Sequence, residues 1–134
     1  MTRFVIDAPV AIQLATDNVA IAAGHELLAP TLLRSQALAL LYASVHQGVS
    51  DERTARRTLD GIRSLRVRLL GDRVLQRVAW DIARQLGWPD TYRAEYIALT
   101  RLQGDALVTA DTELAIAASS LVAVAPLGDL LTPP

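Results

Sequence analysis

The feature that most narrows the fold of this chain is an alternation. Short apolar runs recur between longer segments whose apolar residues fall at helical spacing. "RFVID" at 3–7 reads as a buried strand finishing at Asp7, and "HELLAP" at 25–30 as a second, closed by Pro30. "LRVRLL" at 65–70 alternates apolar and Arg, the pattern of a strand with one wet face. "DALVT" at 105–109 and "LVAVAP" at 121–126 complete the set of expected strands. Between them, "APVAIQLA" opens a short helix, and a long helix runs from about Thr31 to His46 and stops at Gly48. Ser50 is a plausible N-cap for the helix of "SDERTARRTLDGI". Another helix follows Gly71–Asp72, with Val74, Val78, Ile82 and Leu86 at helical spacing; residues 91–103 and "DTELAIAAS" make two more. Strands alternating with helices imply βαβ units and a mostly parallel sheet covered on both faces. With 134 residues, half of them apolar, and no linker, repeat or low-complexity segment, the chain reads as a single α/β domain over 1–134.

Composition removes several chemistries. There is no cysteine, so thiolate catalysis, disulfides and Cys-ligated metals are excluded, and a cytoplasmic location is the simpler expectation. Neither a signal pattern nor an apolar run long enough to span a bilayer is present, so no membrane association is expected. All thirteen basic residues are arginine. Without lysine, a Walker-A phosphate loop, a receiver-type phospho-acceptor site and a Schiff-base enzyme are out of reach. No G-x-G-x-x-G occurs, which leaves dinucleotide binding unsupported. The net charge of −1 is unevenly spread: residues 51–84 hold nine arginines against five acids, and residues 85–134 two arginines against six. Arg53, Arg56, Arg57, Arg63, Arg66, Arg68, Arg73 and Arg77 are therefore candidates for an RNA or partner surface, or for a solvated helix face.

In open α/β sheets, ligands gather at the carboxyl ends of strands. Asp7 ends the first expected strand and Asp111 follows "ALVT", so both stand where a site would form. Each has a second reading as the N-cap of the helix that follows, and Glu113 suits the first turn of the Asp111 helix. Gln36 shares a helix stripe with Leu32, Leu33, Ala39 and Leu40 and is expected to point inward, as an internal anchor or at a cleft edge. In "PDTYRAEYIAL", helical projection places Tyr92, Tyr96, Leu99 and Leu102 on one side with Glu95 among them, and Arg93 roughly 160° away. Asp90 is a possible N-cap there and the expected local partner of Arg93. His25 and His46 share no ligand spacing and read as surface or turn residues, and Trp80 and Trp88 as packing residues.

The ordered set "VID", "APTLLRSQAL", "TYRAEYIALT" and "ALVTAD" resembles PIN-domain proteins, in particular the VapC toxins of bacterial toxin–antitoxin pairs, over nearly the whole chain. The resemblance implies a three-layer α/β/α sandwich and a ribonuclease in which four acids hold Mg²⁺ or Mn²⁺ and metal-activated water cleaves RNA. It further implies a homodimer silenced by a small VapB-like antitoxin protein. Matched residue by residue, Asp7 and Asp111 fall on the first and last acids, whereas Gln36 and Arg93 stand where the family has a glutamate and an aspartate. Asp90, Glu95 and Glu113 are the remaining acids within reach as accessory residues. Two readings follow: a metal-dependent ribonuclease toxin, or a degenerate PIN module that binds a protein partner or RNA without cutting. A haloacid-dehalogenase-like phosphatase fails, because Pro9 stands where a second aspartate is needed and the catalytic lysine is missing.

Overall fold

Four short strands form one sheet in the order β3-β2-β1-β4, every neighbouring pair parallel. The computed structural model describes residues 1–134. Along the chain the elements are β1 (Thr2–Ile6), α1 (Ala8–Asp17), β2 (His25–Pro30), α2 (Leu32–His46), α3 (Glu52–Ser64), β3 (Arg68–Leu70), α4 (Arg73–Leu86), α5 (Tyr92–Gln103), β4 (Ala106–Val108) and α6 (Thr112–Ser119), closed by a 3₁₀ turn over Leu127–Leu131. β1 is flanked by β2, with Phe4 opposite Leu27, and by β4, with Phe4 opposite Ala106. The chain therefore steps outward from β1 through β2 to β3, then returns across the sheet to lay β4 on the other side of β1. That reversal makes the gap beyond the ends of β1 and β4 the switch point where such folds open a crevice.

α5 lies against β1, β2 and β4 with α4 packed beside it, while α1, α2 and α3 pack on one another and α2 touches β2. This is the three-layer α/β/α arrangement. α5 is covered over most of its surface, from Ala94 through Thr100 apart from Glu95, because it sits between the sheet and α4. Its exit is tight: a Cβ on Gly104 would stand 2.9 Å from Val5 Cγ2, so only glycine lets the chain turn into β4 this close to β1. No helix is long and apolar enough to cross a membrane.

Several local expectations are corrected. "LVAVAP" is not a strand; Val124 makes one isolated bridge to Leu107, and Pro126 then leads into the 3₁₀ turn that buries Leu130. β3 is only three residues long, because Arg66 adopts φ 56° and breaks the extended run before it can pair. Asp51, not Ser50, caps α3, its carboxylate accepting from both the amide and the hydroxyl of Thr54. These bonds lower the Asp51 pKa. The buried stripe of α4 is Leu75, Ala79, Ile82 and Ala83, rotated from the expected one so that Val74 is 52% exposed. α2 buries Leu33, Ala37 and Leu41 and leaves Ala39 and Leu40 exposed. Tyr92 and Leu102 of α5 are also exposed.

Candidate functional site

The crevice beyond β1 and β4 is a cleft of about 300 Å³ whose polar lining is Asp7, Gln36, Arg93, Tyr96 and Asp111. Four of the residues singled out in the sequence thus meet in space. Ala39, Leu40 and Leu114 supply apolar wall.

Asp7 is 5% exposed. One carboxylate oxygen accepts from the Val10 amide at 3.0 Å, capping α1, and the other accepts from the Thr109 hydroxyl. Capping and strand-end placement are therefore one geometry rather than alternatives. Burial pushes the Asp7 pKa above the usual carboxylate range, and nearby Asp111 adds to this; bonds from Thr109, Val10 and Ala110 oppose it. Thr109 is the link that the sequence did not single out: its oxygen also accepts from the Asp111 amide at 3.0 Å, tying the two aspartates together. Asp111 caps α6, accepting from the Leu114 amide at 3.1 Å.

The other oxygen of Asp111 faces a cation. Arg93 Nη1 lies 3.7 Å from it and donates to Glu113 at 3.4 Å. Behind it, the Arg93 guanidinium carbon sits 4.6 Å from the centre of the Trp88 ring, a cation–π seat that holds the fork in place. Arg93 does not pair with Asp90, whose carboxylate instead accepts from the Tyr92 amide at 3.2 Å, outside the cleft lining. Glu95 is half-buried with no side-chain hydrogen bond or ion pair, and its pKa is raised by desolvation. On the opposite wall Gln36 accepts from the Tyr96 hydroxyl at 2.5 Å, so its carbonyl oxygen is engaged. Tyr96 is buried, and burial together with the charges of Asp7 and Glu95 raises its pKa.

These donors do not fit Mg²⁺ or Mn²⁺. Such ions take several oxygens carrying negative charge. Here both oxygens of Asp7 are bonded, one of Asp111 caps a helix while the other meets a guanidinium, and no three His, Asp or Glu side chains converge. The Arg93 guanidinium already supplies positive charge to the Asp111 oxygen that the helix cap leaves free.

The arginines of the middle segment do not form one face. Arg53, Arg56 and Arg57 lie on α3, and Arg56 pairs with Glu52 at 3.4 Å. Arg63 and Arg66 border a groove against α2 together with Arg34, whereas Arg68 and Arg3 both pair with Glu26, at 3.5 and 3.6 Å. Arg73 and Arg77 stand on α4 beside Trp80, which is 66% exposed rather than a packing residue. Trp88 does pack against the core. His25 is half-buried, against Phe4 and bonded to the Thr132 carbonyl, while His46 stacks on Tyr42 at the end of α2.

No protein-family model matches the chain, and no curated protein matches it. The structure is similar to the crystal structure of PAE2754 from Pyrobaculum aerophilum, with a TM-score of 0.73 and 23% identity over 97% of this chain and 94% of that one. That likeness shows the α/β sandwich.

Proposed function

We propose that this chain is a PIN-type domain related to VapC toxins that acts by binding rather than by metal-dependent RNA hydrolysis. One observation carries the reading: Arg93, seated on Trp88, lies against Asp111 in the cleft and against Glu113 at the surface, at the position where the resemblance puts a metal-binding aspartate. A guanidinium there offsets the carboxylate charge that a divalent ion would use, and its fork competes for the same oxygens. The ordered motifs and the parallel sheet with Asp7 and Asp111 at its switch point support the PIN part of the proposal. In this reading the domain retains the association habits of the family, as a cytoplasmic homodimer that engages a VapB-like antitoxin or RNA, without the hydrolytic step.

The test is a calorimetric titration of the protein with Mn²⁺ and Mg²⁺, with structured RNA incubated in parallel. No saturable metal binding and no metal-stimulated cleavage are expected. Metal-stimulated cleavage that disappears in both Asp7→Ala and Asp111→Ala would replace this reading with the ribonuclease toxin.

A further inference from the structure

We propose that the outward face of α4 binds single-stranded nucleic acid, with Trp80 as a stacking platform between guanidinium groups. Arg73, Arg77, Trp80 and Arg84 occur at steps of four, three and four residues. At the helical repeat they fall within a stripe about 60° wide and run roughly 17 Å along the axis. The stripe points away from Leu75, Ala79 and Ile82, which are buried, so it faces solvent along its length.

Three observations point to a ligand. Trp80 is the most exposed tryptophan, and no cation of this chain covers its ring, whereas Trp88 already carries Arg93. Arg73 and Arg77 form no ion pair, and only Arg84 is held, by Asp81 at 3.3 Å. Arg73, Gln76, Arg77, Trp80 and Asp81 together line a shallow surface depression. An open indole costs hydration, and two unpaired guanidiniums one turn apart repel; both are relieved by a polyanion that also presents π-faces.

A protein hot spot would set the indole among apolar neighbours that exclude water. The neighbours of Trp80 are instead Arg73, Gln76, Arg77, Asp81 and Arg84, a charged stripe of net positive sign. A duplex keeps its bases stacked inside, so the indole selects for single strands. α3 is richer in arginine, with four against three, but carries no aromatic residue, which separates it from this face.

The experiment titrates the full chain with labelled oligouridine and oligothymidine, reading anisotropy and tryptophan quenching at rising salt. Binding with quenching is expected, with a log–log salt slope of about −1.4 to −2 from two or three phosphate contacts. Trp80→Ala weakens binding about ten-fold or more and removes most of the quenching, while Trp80→Phe retains most of the affinity. Arg77→Gln makes the slope shallower by about 0.7. Equal affinity for both oligomers would mark backbone-and-stacking recognition, and a preference for the ribose form would identify RNA as the source. The proposal is overturned by absence of binding, or by affinity and slope that do not change in Trp80→Ala and Arg77→Gln. It is equally overturned if Trp80→Ala alters only the oligomeric state in size-exclusion chromatography, which would make α4 a protein interface. Trp80 and Arg77 lie outside the cleft lining, so the effect of their substitution is independent of whether the protein binds Mn²⁺.

Discussion

Replacing Gln36 with Glu and Arg93 with Asp together tests whether the cleft is a metal site closed by two side chains. The substitutions take the formal charge at positions 7, 36, 93 and 111 from −1 to −4. Glu at 36 keeps an acceptor for the Tyr96 hydroxyl, so the opposite wall is preserved. Without metal, the variant loses the Arg93 pairs at 3.7 and 3.4 Å. Each is partly exposed and screened and contributes about 0–1 kcal/mol. It also loses the Trp88 seat, at about 0.5–1 kcal/mol, and gains repulsion among carboxylates. A total of roughly 1–3 kcal/mol follows, and for a chain of this size Tm falls by about 3–5 °C per kcal/mol. Mn²⁺ at a hundred times its Kd returns about 2.7 kcal/mol, enough to cancel the loss. Differential scanning fluorimetry with and without Mn²⁺ measures both steps. Arg93→Met is the control: it removes the cation without adding a ligand, lowers Tm slightly and does not respond to Mn²⁺. A double variant whose Tm ignores Mn²⁺, or an unmodified protein whose Tm rises with it, would refute the reasoning.

Three further outcomes are expected. The raised Asp7 pKa means the folded chain holds that proton more tightly than the unfolded one. Its contribution to stability is therefore fully present below the ordinary carboxylate range and is lost as pH rises through the raised value. Asp7→Asn, which cannot ionise, should flatten this part of the profile in urea unfolding across pH; an unchanged profile would show that another group carries it. Thr109→Val leaves a buried Asp7 oxygen without its donor and the Asp111 amide without its acceptor, and should cost about 1–3 kcal/mol in the same assay. Gly104→Ala should cost about 1–3 kcal/mol by overpacking, because the new methyl falls on Val5; a loss under about 0.5 kcal/mol would show that α5 can shift away.

Much of the architecture was legible because it depends on local signals. Strand and helix alternation gave the parallel sheet, and an aspartate directly after "FVI" or shortly after "ALV" lies at a strand end whatever the packing. Local pattern failed where neighbours decide. "LVAVAP" has strand composition but touches the sheet at one bridge, and Trp80 sits at a helical position that turned out to face water. The buried stripes of α2 and α4 differ from the expected ones because adjacent apolar residues such as Val74 and Leu75 are equivalent in sequence, and only packing neighbours choose between them.

For the candidate site the division is sharper. The sequence by itself determined that two acids stand at strand ends and that no lysine or cysteine chemistry is open to the chain. Only the tertiary structure decided what Arg93 does. Residue order pointed to Asp90, three positions away, but the fold brings Asp111 and Glu113, at the start of α6, to the guanidinium and sets Trp88 behind it. It likewise joined Thr109 to Asp7, 102 residues apart. Ion pairs and buried hydrogen bonds depend on distances of a few ångströms between side chains on different elements, and those distances exist only once the sheet has closed.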